Sequence, residues 1–419
     1  MPINSLRPRL LSALLPDMKS HRVVVVTGAR QTGKTTLAKR VFGDLAYINL
    51  DAPENRDRLR ELSSAAWGEV VGNATIDEAQ KEPSVFEKVK YAFDEGGITF
   101  TVLTGSSQIL LLRKIRESLA GRAFFYELWP LMQCELREMP ETKTVRPPLL
   151  ARLFSSQSAG EIFSDIPETL LAGDDYRFQK AEDHILAWGG MPALLHLSEN
   201  DRWQWLRNYG HTYLERDLSD LARLDDLMPF RKFQKLSALR SGMLLNYSEL
   251  ARDAGISVDT ARRYLEYLRI SYQAALLQPY YRNVTSSVVK TPKLFWTDIG
   301  IWRQLTGFKG EITGELYETM VVGEMTKWMR TAQSDGALYF YRTRSGMEMD
   351  LLLETPTGIF GIEVKSRSTV SKKDVGPMQA IAEALGSDWK GGLLIYRGNR
   401  IVRIASPDIW AVPSRRLFQ

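Results

Sequence analysis

The chain has 419 residues, 44% hydrophobic and 25% charged, with 55 Lys and Arg against 50 Asp and Glu for a net charge of +5. That length fits two to four domains with real cores. One cysteine, Cys134, excludes an intramolecular disulfide and suits a reducing, cytoplasmic setting; no apolar run is long enough for a membrane span, and the four histidines form no zinc-ligand spacing with it.

In chain order, the N-terminal stretch MPINSLRPRLLSALL has a leucine stripe broken by Arg7, Pro8 and Arg9, which predicts a short amphipathic helix and no secretory leader. Four β-branched residues, Val23 to Val26, then predict a buried parallel strand. Its continuation, Gly28-Ala29-Arg30-Gln31-Thr32-Gly33-Lys34-Thr35-Thr36, fits G-x-x-x-x-G-K-[ST]. Gly28 and Gly33 let the backbone turn its N–H groups inward on phosphates, Lys34 places a charge on the β- and γ-phosphates, and Thr35 offers a hydroxyl to Mg²⁺. A helix from about Gly33 to Val41 points its positive end at the same anion. The spacing implies a nucleoside triphosphate site.

The next strand is read over Leu45 to Leu50, with a charged helix near Glu54 to Leu62, so strands alternating with helices imply a parallel, doubly wound sheet. Ala74-Thr75-Ile76-Asp77-Glu78 reads as the second catalytic element, Asp77 holding Mg²⁺ through water and Glu78 acting as general base. A third strand, Ile98 to Leu103, leads to Thr104-Gly105-Ser106, where Ser106 is a candidate for sensing the γ-phosphate, or is simple turn chemistry. Arg122, in Leu119-Ala120-Gly121-Arg122, is a candidate to reach phosphate in its own or a neighbouring subunit, or a surface arginine.

GARQTGKTTL, IDEAQK, LTGSS and LAGRAFFYELWPL, in this order, resemble the predicted AAA-superfamily ATPases of prokaryotes, which carry a poorly characterised C-terminal domain. The resemblance extends to WGGMP at 188–192, YLERDL at 213–218, a winged-helix stretch and YRTRSGMEMDLLLE with IEVKS, leaving roughly residues 138–175 unmatched. It departs in the polar strand before Asp77 and in offering no assignable second sensing arginine. It implies a helical lid beside the nucleotide, built from the helical pattern between about Arg177 and Ala222.

Residues 230–282 follow a helix-turn-helix pattern, with Gly255-Ile256-Ser257 as the turn and Val258 to Arg269 as the second helix. Arg262 and Arg263 are candidates for DNA phosphate contact; a protein-interaction module with a solvated charged face is the alternative. Further on, Glu363-Val364-Lys365 is an E-x-K on a strand, so its two ionic side chains share a face, and Asp350 stands on the adjacent strand. With Glu318 on the preceding helix, these resemble the core of PD-(D/E)xK nucleases, whose carboxylates bind Mg²⁺. The alternatives are a solubility pattern on a half-exposed strand or a nuclease-like fold without activity.

The sequence therefore predicts an α/β chain: an N-terminal helix and AAA-type P-loop ATPase core over 1–137, a connection and helical lid over 138–229, a winged helix over 230–309 and a nuclease-like domain over 310–419. ATP and Mg²⁺ are the expected ligands, coupled to DNA binding or remodelling. The alternatives are a nucleotide-dependent switch for a protein partner and an ATP-regulated nuclease. An oligomer is compatible with this reading, and a membrane partner is not expected.

Overall fold

The computed structural model describes residues 6–105, 119–222, 227–280, 290–343 and 346–419, with backbone alone over 211–222. Five strands, β1 (Arg22–Thr27), β2 (Ala46–Asn49), β3 (Ala74–Asp77), β4 (Phe100–Thr104) and β5 (Ala123–Glu127), form a sheet of order β2-β3-β4-β1-β5. Every pairing in it is parallel. Val23 to Val26 are at most 1% exposed because β1 is paired on both sides, by β4 and β5, with helices covering both of its faces. Val23 and Val25 face a core with Trp67 and Phe86, while Val24 and Val26 face one with Leu37, Phe42 and Phe100. The expected N-terminal helix is a single 3₁₀ stretch, Leu10–Ala13, with Leu11 completely buried on the second of these cores.

The second half of the chain makes one sheet of nine strands. Its β6 (Met243–Leu244), β7 (Ala274–Pro279) and β8 (Lys293–Trp296) belong to a unit with the helices Met228–Leu239, Tyr247–Ala254 and Val258–Ile270. Asn246 and Ser257 cap the last two helices by accepting the Glu249 and Thr260 amides, and Gly255 turns between them at φ +75°. Then come β9 (Ala337–Arg342), β10 (Glu348–Thr355), β11 (Gly358–Lys365), β12 (Trp389–Tyr396), β13 (Val402–Ala405) and β14 (Ile409–Pro413), in the order β13-β14-β12-β11-β10-β9-β7-β8-β6. The parallel pairing of Gln278 and Pro279 on β7 with Tyr339 and Phe340 on β9 carries the sheet across residue 309, where sequence composition places a boundary.

Residues 138–175, expected as a connection with one helix, contain the 3₁₀ stretch Leu149–Phe154 and the short helix Ala159–Phe163. Both bury apolar residues against the helix Gly314–Ala332 and β11, β12 and β14: Leu150, Leu153 and Phe163 share a core with Tyr317, Phe360 and Val412. The helix Ala172–Trp188 joins the same core through Ala181, Ile185 and Leu186, so this part of the expected lid packs on the C-terminal sheet. Hydrophobic periodicity finds the apolar face of such a helix and does not identify which surface covers it.

The C-terminal residues are buried there too. Tyr317 donates to Ser414 Oγ at 2.6 Å, and Ser414 donates to Glu182. Burial pushes the Glu182 carboxyl up to about 7. A raised folded-state value contributes stability that is fully present below the ordinary carboxyl range and is lost as pH rises through about 7. Glu182→Gln should remove this dependence: between pH 5 and 8 the wild type should lose stability relative to the variant, by at most about 3 kcal/mol. Urea unfolding at a series of pH values checks it, and parallel curves for the two proteins would refute it.

Candidate nucleotide-binding site

β1 delivers the chain to the P-loop at the C-terminal edge of the parallel sheet. Gly28 passes so close to the strand exit of β5 that a Cβ there would sit 2.1 Å from the Leu128 carbonyl oxygen. Gly33 holds φ +96° at the start of the helix Lys34–Val41, a conformation that glycine adopts without steric cost. Thr32 braces the loop from within, its hydroxyl donating to the Ala29 carbonyl at 2.9 Å. The Lys34 ammonium donates to the Gly28 and Ala29 carbonyls at 2.9 and 2.8 Å, on the inside of the turn where the motif requires a cation.

A cavity of about 520 Å³ opens over this loop. Arg30, Gln31, Thr32, Gly33, Lys34, Thr35 and Thr36 line one side together with Glu78, and Arg7 and the turn Pro192–His196 close the other. That volume lies in the range of small-molecule pockets. Of the helical region expected as a lid, the stretch that borders the cavity is Pro192–His196, directly after Gly189-Gly190-Met191.

β3 ends beside the loop and brings Asp77 to Thr35, whose hydroxyl donates to Oδ2 at 2.7 Å. Tyr47 on β2 donates to the same oxygen at 2.6 Å, Thr104 donates to Oδ1, and the Glu78 amide donates to Oδ1 at 3.1 Å. Four donors fix the Asp77 carboxylate in one orientation. Burial and this bond to Asp77 push the Tyr47 phenol well up, so it remains a donor. Glu78 stands at φ +55° and accepts from Gln80, which turns its carboxylate toward the cavity. The hydroxyl of Thr35 and the carboxylate of Asp77 are the hard oxygen ligands that Mg²⁺ takes beside a phosphate, so this pair fits the ion that a P-loop implies.

Of two further expected residues, one is not described and one falls elsewhere. Ser106 lies outside the described residues. Arg122 stands at the entry to β5, where its carbonyl accepts from Val23, the end of the sheet opposite the P-loop; its guanidinium makes a bidentate pair with Asp94. In a parallel sheet the start and end of a strand face opposite edges, so the structure does not bring Arg122 to the cavity.

Three contacts have no motif behind them. Arg9 donates from Nε to Glu135 at 3.1 Å, from Nη1 to the Thr32 carbonyl at 2.7 Å, and from Nη2 to the Trp129 carbonyl, tying the P-loop to the segment after β5. In the sequence Arg9 only interrupts a leucine stripe. Tyr272, at the end of the helix Val258–Ile270, hydrogen-bonds through its hydroxyl to Thr27 Oγ1 at 2.9 Å and meets the Trp129 ring edge-on at 4.8 Å. Tyr209 donates to the Arg30 carbonyl at 3.2 Å.

In the second half of the chain, Glu318, Asp350, Glu363 and Lys365 do gather at one place, where the helix Gly314–Ala332 begins beside β10 and β11. Lys365 Nζ is 2.9 Å from Glu363 and 4.0 Å from Asp350, and Asp350 accepts the Val364 amide at 2.8 Å. Burial, with Asp350 nearby, pushes Glu363 up to about 8. The sequence expects these carboxylates to bind Mg²⁺; among the described residues no group of three or more His, Cys, Asp or Glu is arranged to hold a metal ion. Arg262 and Arg263 are exposed on the helix Val258–Ile270, Arg262 lying over the Tyr247 ring at 5.4 Å.

This geometry is that of a P-loop ATPase domain, and residues 20–137 match the AAA domain family. Residues 179–311 match a domain of unknown function, DUF8612, and residues 313–417 match a second, DUF4143. Uncharacterised proteins of Mycobacterium tuberculosis and Mycobacterium bovis are each 29% identical over 365 residues, covering 84% of this chain and 72% of theirs. One from Methanocaldococcus jannaschii is 23% identical over 349 residues, covering 80% of this chain and 72% of its own. Among solved structures, the Walker-type ATPase of Pyrococcus abyssi superposes with a TM-score of 0.40 at 14% identity, over 72% of this chain and 99% of that one. A likeness at that level does not extend to the arrangement of the whole chain. No helix among the described residues is long and apolar enough to cross a membrane.

The Arg9 clamp gives a test of the site's construction. Arg9→Ala leaves Glu135, which is fully buried, without its cation. Breaking a buried pair from one side is strongly destabilising. Urea unfolding should show a loss of roughly 3 kcal/mol. Nucleotide affinity should fall with it, because the carbonyl of Thr32 is released. Unaltered stability and affinity would remove Arg9 from this role.

Proposed function

We propose that this protein is a Mg²⁺-dependent ATPase whose site is built from Lys34, Thr35, Asp77 and Glu78. The observation that carries the reading is the 2.7 Å bond to Asp77 from Thr35, which lines the cavity together with Lys34 and Glu78. In this reading the loop amides and Lys34 bind the β- and γ-phosphates. Asp77, held by Thr35, Tyr47 and Thr104, stays fixed while the substrate enters, and Glu78 accepts the proton of the attacking water. Thr35 and Asp77 would hold Mg²⁺, which when bound supplies charge neutralisation at the phosphate oxygens.

Lys34→Ala should weaken nucleotide binding and abolish turnover, whereas Glu78→Gln should keep binding and lose turnover by roughly a hundredfold or more, as for loss of a general base. Fluorescent-nucleotide titration and phosphate release measure the two. Wild-type hydrolysis in Glu78→Gln would rule it out as the base, and full hydrolysis in Lys34→Ala would undermine the site as a whole.

A second reading, coupling of turnover to DNA, is favoured by the Tyr272 hydroxyl on Thr27, since Tyr272 follows the helix that exposes Arg262 and Arg263. If both arginines neutralise phosphates, the double change to Ala should weaken DNA binding and reduce the slope of log affinity against log salt by about 2. Filter binding across salt concentrations reads both quantities. Unchanged affinity and slope would assign this helix to a protein partner, the nucleotide-dependent switch. The ATP-regulated nuclease is the weakest of the three readings, because its carboxylates form no metal-ligating group among the described residues.

A further inference from the structure

The C-terminal carboxylate cluster has a member that no motif contains. Lys293, the first residue of β8, is 4% exposed and reaches out of its own unit into the cluster. Its ammonium lies 2.8 Å from Glu348 Oε1, 3.5 Å from Glu318 Oε1 and 5.4 Å from the centre of the Phe340 ring. With two carboxylates within 3.5 Å, the buried ammonium is paired and not isolated. Lys365 neutralises Glu363 and Asp350 from the other side, and Arg342 stands 3.7 Å from Glu348.

We propose that Lys293 is the resident cation of this cluster, holding the C-terminal domain to β8 in the place that a divalent metal would take.

A divalent cation placed between Glu318 and Asp350 would have to expel the Lys293 ammonium, and a buried ammonium stripped of its carboxylates is costly. The root of the lysine is fixed, because β8 is paired on both sides: Lys293 to Trp296 pair with Leu277 to Ala274 on β7, Lys293 and Leu294 pair with β6, and the Leu245 amide donates to the Pro292 carbonyl at 2.8 Å. Its stem is buried, so withdrawing the ammonium from its carboxylates means repacking the core around the side chain. Lys293 and Lys365 thus supply, from within the chain, the positive charge that a metal would otherwise bring.

This inference is independent of the ATPase reading, and its test needs no nucleotide. Mn²⁺ binding to the full-length, nucleotide-free protein is followed by the electron paramagnetic resonance of free Mn²⁺, for the wild type, Asp350→Asn and Glu363→Gln. The three should bind Mn²⁺ alike; an equivalent of Mn²⁺ bound by the wild type and lost in Asp350→Asn would overturn the proposal. A thermal-unfolding pair tests the lysine itself. Lys293→Met should lower the midpoint by several degrees, and adding Glu348→Gln should restore at least half of the loss, since it removes a carboxylate left without its cation. A Lys293→Met protein as stable as the wild type, or a double variant no better than the single one, would sink it. Should both lysine variants fail to fold, the Mn²⁺ comparison among the other three proteins still decides.

Discussion

Much of the molecule depends on how closely backbones approach one another at residues 128–131, the four residues that leave β5. Leu128 donates its amide to the Thr27 carbonyl at 2.7 Å, while its own carbonyl leaves Gly28 no room for a side chain. The Trp129 carbonyl accepts from Arg9. The Leu131 amide donates to the Gly190 carbonyl at 2.7 Å, and a Cβ on Gly190 would stand 2.1 Å from the Leu131 carbonyl. One short segment thus touches the P-loop, the N-terminal stretch and the turn that borders the nucleotide cavity. Such contact between main chains is possible only where glycines remove the Cβ.

The same crowding continues into the second half of the chain. Gly189 and Gly190 lie against Asp298, whose carboxylate accepts the Gly190 amide at 2.8 Å and the Ile301 amide at 3.0 Å. Gly300 packs on the Trp188 carbonyl, where a Cβ would come within 1.9 Å. The elements beside the nucleotide cavity are therefore seated directly on the helix Ile299–Thr306 and, through the Gln133 amide that Glu324 accepts at 2.8 Å, on the helix Gly314–Ala332.

Polar groups reinforce this seam where apolar packing alone would leave it without direction. Thr27 to Tyr272, Trp129 to Glu127 and Gln333 to the Phe125 carbonyl all cross or border it, the last capping the open edge of β5. Unpaired edge strands invite association, and a long helix laid along one is a common remedy. The C-terminal unit thus completes the ATPase sheet as much as it extends the chain.

The sequence alone determined the nucleotide site, because each of its constraints is local. Gly28, Gly33, Lys34 and Thr35 lie within eight residues, and their geometry is set by one turn between a strand and a helix. Asp77 and Glu78 were legible for the same reason, as the end of a short strand in an alternating pattern. The turn at Gly255 and the helix that starts at Val258 also followed from local pattern. Tertiary structure decided everything that depends on which end or face meets which. It set Arg122 at the far end of the sheet and gave Tyr47 and Thr104 to Asp77. It made the glycines of WGGMP a packing surface as well as a turn, and put the residues of 149–163 into the C-terminal core. Lys293 shows the limit most clearly. In the sequence it is one lysine at the start of a strand, 25 residues from Glu318 and 55 from Glu348. Only the joining of β7 to β9 brings its charge among their carboxylates, and no local pattern encodes a contact that two strands of one sheet make between distant parts of the chain.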